Sequence, residues 1–128
     1  MIEIPSEYRG WWRIAETSLW GESGLDVIGT ALLSITGSDD RLRMHCLLAY
    51  VNWKVNTASL SFNWNGSWEF DEMSGTGNVK LRRDGRLDGR LAIKNGDKST
   101  FVAEPAEPPE HSIPHPPSWS DKWGSRRW

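Results

Sequence analysis

Residues 76–103, TGNVKLRRDGRLDGRLAIKNGDKSTFVA, decide the fold of this chain. Apolar and charged side chains alternate along the segment with a period of two, which places one row against a core and the other in water. The dipeptides Asp84-Gly85 and Asn95-Gly96 interrupt the alternation and are typical of tight turns. The segment therefore predicts three antiparallel strands joined by two short connections.

The face pattern also selects the turn at the first of these connections. A two-residue loop would pair a charged side chain with an apolar one. A three-residue loop that ends at Gly85 instead places Leu81 opposite Leu87, and it gives the glycine the left-handed position of a bulge. At the second connection, Leu91 opposite Phe101 keeps the faces matched and needs a loop longer than two residues.

The chain before this segment reads as more of the same sheet, because short alternating runs are separated by turn residues. The predicted strands span residues 10–20, 25–36, 41–55 and 58–64. The alternation changes phase near residues 49–50, which predicts a bulge in a single long strand. A two-residue turn at 56–57 then pairs Trp53 with Leu60 on one face.

Residues 65–77, NGSWEFDEMSGTG, have the weakest pattern. We expect an acidic loop with a short edge strand here, although Asn65-Gly66 can also form a hairpin turn. The count is seven or eight strands with short connections and no long helix. The fold class is therefore all-β, an antiparallel up-and-down meander that closes into a small barrel. The interior of an eight-stranded barrel is filled by side chains or holds one small ligand, and we expect it to be filled.

Length and charge restrict the functional classes. The length of 128 residues predicts one β-barrel domain, residues 1–104. The net charge of −2 predicts no global field that would attract nucleic acid or membranes. We see no apolar run long enough to span a bilayer and no secretion signal at the N-terminus. The lone Cys46 suits a reducing compartment. We therefore expect a cytoplasmic protein.

The chain is rich in tryptophan, with nine in all. A tryptophan buries on the order of 150–250 Å², so a few can anchor a small core, and we expect most of those before residue 104 to pack there. In the alternative interpretation, Trp12, Trp53 and Trp64 line a ligand cavity, and the protein is a small-molecule carrier.

The tail, residues 105–128, has a different composition. It holds six of the seven prolines, which disfavour strands and favour an extended chain. Tryptophan and arginine are enriched in binding hot spots, so we expect the end of the tail to dock on a partner. The predicted contact residues there are Trp119, Trp123, Arg126, Arg127 and Trp128. A lid over the barrel and a disordered tail remain alternatives.

Catalytic and metal-binding motifs are not recognisable in the sequence. His45 and Cys46 are adjacent, so on a strand they would face opposite ways. The acidic residues at 69–72 read as a solvated loop, and the histidines at 111 and 115 read as exposed. We therefore predict no catalytic residue, no metal and no cofactor. An enzyme would require Glu69, Asp71 or His45 to converge on one point.

A basic cluster lies in residues 80–98. Its seven Lys and Arg residues face three Asp residues, which leaves a local charge of +4 (seven minus three). A solubilising outer face explains such a cluster most simply. Within it, Arg82, Arg90 and Lys94 are the predicted contacts to a partner. Nucleic-acid contact is an alternative, although no aromatic residues interleave with the charges, as a single-strand platform would need.

Several motifs together resemble an uncharacterised small bacterial family of all-β proteins. They are GWWRIAE at 10–16, Trp20, LD at 25–26, SFNWNG at 61–66, SGTG at 74–77, DGRLDGRL at 84–91 and GDKSTF at 96–101. The resemblance covers about residues 10–103 and implies no activity. The meander is also similar in outline to lipocalin and avidin-like calycin barrels, which is an analogy of fold alone.

The sequence thus favours a non-enzymatic protein-binding module, and an inhibitor or immunity-type protein of a bacterial conflict system fits this description. The small-molecule carrier is the second hypothesis. An enzyme is the third.

Overall fold

The computed structural model describes residues 3–19, 24–26, 28–69, 71–111 and 113–114. In this part of the chain a 3-10 turn, Ser6–Tyr8, precedes eight antiparallel strands, and the last strand pairs with the first to close a barrel. The strands are β1 Gly10–Thr17, β2 Leu32–Ile35, β3 Asp40–Met44, β4 Leu47–Val55, β5 Leu60–Trp68, β6 Asp71–Leu81, β7 Leu87–Ile93 and β8 Lys98–Ala106. The predicted all-β meander is confirmed.

The β6–β7 connection has the predicted register. Leu81 lies opposite Leu87, the Arg82 N–H donates to the Arg86 carbonyl, and Gly85 has a φ of 87°. A side chain at this glycine would be strained, because L-residues rarely adopt a left-handed φ. The three-residue loop follows from that geometry.

The β7–β8 register differs from the prediction by two residues. Leu91 lies opposite Ser99, and Phe101 lies opposite Gly89. The loop is shorter than the prediction requires, because the Ile93 N–H donates to the Asp97 carbonyl at 2.9 Å. A shift of two residues keeps every side chain on its face, so the alternation could not detect it.

The register of the β4–β5 hairpin also differs from the prediction by two residues. Trp53 lies opposite Phe62, not Leu60, and residues 56–59 form the connection. The Asn56 N–H donates to the Ser59 carbonyl at 2.9 Å, which closes this longer turn.

Two further predictions about the first half of the barrel are wrong. The phase change within residues 41–55 is a hairpin turn at His45-Cys46, with Met44 opposite Leu47, and not a bulge in one strand. The predicted strand at 25–36 is reduced to β2, because the chain before it belongs to the β1–β2 connection. The hairpin buries Leu47 and Ala49, while Cys46 and Leu48 are only partly buried. A change of phase in the alternation does not by itself distinguish a turn from a bulge.

The predicted acidic loop at 65–77 is instead regular sheet. β5 continues to Trp68, which lies opposite Asp71 at the start of β6. The alternation is hidden in the sequence because three inward positions of this hairpin are glycines. These are Gly66, Gly75 and Gly77.

Aromatic rings fill the barrel where those strands lack side chains. The facing pairs are Phe62 with Gly77, Trp64 with Gly75, and Phe101 with Gly89. A Cβ at Gly77 or Gly89 would lie 2.1 Å from Cζ of the opposite phenylalanine. The core is therefore packed against the bare backbone of β6 and β7.

Chain segments outside the strands pack against both ends of the barrel. At the end where β1 begins, Ile4 and Tyr8 are buried, and the Tyr8 hydroxyl accepts a hydrogen bond from the Leu81 N–H at 3.2 Å. At the other end Leu25 is buried, and its carbonyl accepts from the His45 N–H at 2.7 Å. These contacts cover the core at both ends of the barrel.

The chain after β8 returns to the outside of the barrel. β8 runs to Ala106, with Pro105 opposite Trp12. Ile113 is 1% exposed, and its carbonyl accepts from Arg41 Nη1 at 3.4 Å. Among the described residues, no helix is long and apolar enough to cross a membrane.

Candidate functional site: the outer face of strands β6 to β8

The candidate site is a polar surface on the outside of β6, β7 and β8. Its first row across the strands is Asn78, Arg90 and Thr100. Its second row is Thr76, Ala92 and Lys98. Alternation sends these side chains outward because their neighbours along each strand face the core.

Ala92 lies at the centre of three cations. Arg90 is two residues before Ala92 on β7 and shares its face at a spacing of about 7 Å, and Lys94 is the first residue after β7. Lys98 lies directly opposite Ala92 on β8. All three cations are exposed, whereas Ala92 is partly buried beneath them. The small side chain leaves a hollow that the long cationic side chains surround.

This hollow, which we call the Ala92 depression, joins two shallow grooves. One, of about 470 Å³, is lined by residues that include Thr76, Ala92, Arg90 and Lys98. The other, of about 410 Å³, shares Thr76 and Ala92 and adds Lys94. Among the described residues, neither lining contains an Asp or Glu side chain. The lining therefore offers hydrogen-bond donors and positive charge.

The three cations are available to a ligand. The ion pairs within the described ranges involve none of Arg90, Lys94 and Lys98. Carboxylates border the face: Asp88 pairs with an arginine, Glu72 shares a neighbouring hollow with Lys94, and the exposed Asp97 directly precedes Lys98. The positive charge is thus concentrated at the Ala92 depression.

Arg82 differs from the other two predicted contact cations on the barrel. Its guanidinium pairs with Asp84 at 3.1 Å and with Asp88 at 3.6 Å, at the end of β6. The structure therefore places Arg90 and Lys94 in the linings of two grooves that share Ala92, and Arg82 in ion pairs with neighbouring surface carboxylates. The predicted tail contacts at Trp119, Trp123, Arg126, Arg127 and Trp128 lie outside the described residues.

The three tryptophans proposed for a ligand cavity are buried in the core. The indole N–H of Trp12 donates to the Tyr8 carbonyl at 3.0 Å. That of Trp53 donates to Asp40 at 2.9 Å, and that of Trp64 donates to the Thr76 carbonyl at 3.2 Å. Because each polar atom has a protein partner, these side chains act as packing residues in this structure.

Asp40 is a buried carboxylate that the sequence analysis did not single out. Its oxygens accept hydrogen bonds from the Thr36 and Gly37 N–H groups, from the Ser34 hydroxyl and from Trp53 Nε1. These contacts fix the β2–β3 turn onto the end of the core. The turn-like composition of residues 37–40 was the sequence feature that could have indicated a structural role for Asp40.

The reactive side chains at the other end of the barrel have structural contacts. The His45 ring stacks on Trp68 with centroids 4.8 Å apart. Cys46 Sγ donates to Glu69 Oε1 at 3.7 Å. Burial raises the pKa of the Cys46 thiol, and the charge of Glu69 and this hydrogen bond raise it further. A thiol of this kind is a weak nucleophile at neutral pH.

Metal-binding geometry is not found in the described ranges, where no three His, Cys, Asp or Glu side chains form a group that could hold an ion. His111 is exposed, as predicted, and His115 is not described.

The chain matches no protein-family model, no curated protein and no solved structure. The structure shows a small closed β-barrel of the all-β class. Its function must be argued from the chemistry of its own surface.

Proposed function

We propose that this protein is a non-enzymatic binding module that holds an acidic protein partner on the outer face of β6–β8. The observation that carries the proposal is that Arg90, Lys94 and Lys98 line the two grooves that share Ala92, with no carboxylate among the described residues of those linings. A partner surface rich in Asp and Glu complements this face in charge. Complementary charge of this kind sets specificity and speeds encounter.

The packing of the core favours a binding role on the outside over a carrier role on the inside. Trp12, Trp53 and Trp64 are at most 7% exposed, and aromatic rings lie over the inward glycines. A cavity for a drug-sized ligand needs on the order of 300 Å³ or more. The outer grooves reach that size, and they are open to solvent.

The composition of the face favours a protein over a nucleic acid. Proteins that bind single strands stack bases on aromatic rings. The two rows around Arg90 and Ala92 hold only Asn, Thr, Ala, Arg and Lys.

The tail extends the proposal. The tryptophan and arginine residues at 119–128 supply a second contact to the partner protein. An inhibitor or immunity-type role agrees with a barrel that carries two contact regions. The resemblance to a bacterial all-β family implies no activity and adds nothing to this argument.

The experiment compares two triple variants for binding to a short fluorescein-labelled peptide rich in Glu and Asp. The test variant carries Arg90→Ala, Lys94→Ala and Lys98→Ala. The control carries Lys54→Ala, Arg83→Ala and Arg86→Ala, which removes the same charge from exposed positions away from the Ala92 depression. An exposed charge pair contributes about 0.2–1 kcal/mol, so we expect the test variant to bind about tenfold more weakly.

The control variant should bind almost as well as the wild-type protein. Equal losses in both variants would show that net charge, and not this face, holds the peptide, and they would contradict the proposal. Tighter binding of a thymidine oligonucleotide than of the peptide would favour the nucleic-acid alternative.

A further inference from the structure

We infer that the Ala92 depression binds a phosphomonoester, as carried by a phosphorylated serine or threonine of the partner. This inference rests on the proposed function and specifies the group that the face recognises. It follows from the number of donors that surround one small side chain.

The charge at the site exceeds what one carboxylate requires. A single carboxylate has one charge and is matched by one arginine in a two-pronged contact. Here Arg90 and Lys98 line the larger groove with Ala92, and Lys94 lines the groove that adjoins it at Ala92. A phosphomonoester carries a charge of about −1.5 to −2 and three acceptor oxygens, which suits three cations.

Neutral donors complete the site. Thr76 lies opposite Ala92, and Thr100 lies opposite Arg90. Both side chains are exposed and line the larger groove, and within the described ranges no hydrogen bond uses either hydroxyl. A hydroxyl that faces the groove can donate to a phosphate oxygen.

The arrangement also distinguishes a phosphomonoester from a nucleic-acid backbone. A phosphodiester carries one charge per phosphate, and a strand needs cations spaced along its length. Here the cations of the described residues that line the two grooves are Arg90 and Lys98 in one and Lys94 in the other, and both grooves share Ala92. A single dianionic group is the better match.

The test uses three peptides that differ only at one position, which is serine, phosphoserine or glutamate in an otherwise uncharged sequence. Fluorescence anisotropy with the full chain measures their affinities. We expect the phosphoserine peptide to bind at least tenfold more tightly than the glutamate peptide, because it forms more charge-assisted hydrogen bonds. Inorganic phosphate should compete with it.

The matched variants are Ala92→Glu and Ala92→Gln. Both add a side chain of the same size at an outward position, but only glutamate adds a negative charge among the cations. Ala92→Glu should abolish the preference for phosphoserine, whereas Ala92→Gln should retain part of it. Circular dichroism and thermal unfolding should show that both variants fold.

The outcomes separate this inference from the proposed function. If the phosphoserine and glutamate peptides bind equally, and the triple variant weakens both, the phosphate inference is wrong and the acidic-partner proposal stands. A phosphoserine preference that survives Ala92→Glu also overturns the inference. If neither charged peptide binds but the peptide rich in Glu and Asp does, the phosphate inference alone fails; if that peptide does not bind either, both proposals fail. A thymidine oligonucleotide that binds more tightly than the phosphopeptide would overturn the assignment to a phosphomonoester.

Discussion

The ring of Phe62 lies over the bare backbone of Gly77, so that a Cβ at this glycine would stand 2.1 Å from Cζ of the phenylalanine. Phe62 is 2% exposed and packs on Trp53 with ring centroids 5.0 Å apart. The buried ring is therefore in contact with Trp53 and lies against the backbone of β6.

Gly77→Ala should destabilise the barrel through this contact. An added methyl group in a packed core costs about 1–3 kcal/mol. Part of that is offset by the conformational entropy that alanine saves in the unfolded chain. We expect a net loss of about 1–2 kcal/mol in the free energy of unfolding, measured by urea denaturation.

The control for this prediction is a double-mutant cycle with Phe62→Leu. A smaller side chain makes room for the methyl group, so Gly77→Ala should cost at least about 1 kcal/mol less in that background. An identical cost in both backgrounds would show that the ring is not what excludes the Cβ.

The ionisation of Asp26, in the β1–β2 connection, should make the stability of the fold depend on pH. Its carboxylate accepts from the Ala31 N–H at 2.7 Å and pairs with Arg13 at 3.0 Å. Partial burial raises the pKa of this group, but the bond from Ala31, the bond and charge of Arg13 and the charge of Arg43 outweigh it and lower the pKa below 3.8. The charged form is therefore favoured in the folded state.

A lowered folded pKa stabilises the protein above the unfolded value, and this contribution is lost as the pH falls through the folded value. The difference in unfolding free energy between wild type and Asp26→Asn should therefore be constant near neutral pH and shrink below about pH 3.8. Asp97→Asn, at an exposed turn, is the control. If the difference in unfolding free energy between wild type and Asp26→Asn does not change with pH, Asp26 does not contribute to the pH dependence of stability.

The Cys46–Glu69 contact makes a prediction about reactivity. Because burial, the charge of Glu69 and its hydrogen bond raise the thiol pKa, Cys46 should react slowly with iodoacetamide at neutral pH. Glu69→Gln removes the negative charge, so it should lower the thiol pKa and increase the alkylation rate several-fold. Glu72→Gln, on the outer side of the same hairpin, is the matched control. Equal rates in wild type and Glu69→Gln would contradict the assigned cause.

The sequence determined the faces of the strands better than their register. Gly85 identified the β6–β7 loop because only one loop length kept Leu81 opposite Leu87. At the two connections with a shift of two residues, the faces stayed the same and hydrogen bonds in the turns decided the register. The 65–77 hairpin was hidden because glycines occupy its inward positions, where the aromatic rings of neighbouring strands supply the apolar contact.

The candidate site was predictable only in part, for a related reason. Arg90 and Lys94 stood out in the sequence as members of a basic cluster. Ala92 did not, because its contribution is a small size that matters only once Lys98 is placed opposite it. That placement depends on the β7–β8 register, which the alternation could not determine.

The most direct test of the account is to map the acidic peptide on the barrel by its effect on backbone amide resonances. The account predicts that chemical-shift changes concentrate at residues 74–78, 90–94 and 98–100, around the Ala92 depression. Residues 32–44, on β2 and β3 at the opposite side of the closed sheet, should not change. Shifts concentrated on β2 and β3, or on the buried tryptophans, would contradict the assignment of the outer face of β6–β8 as the binding surface.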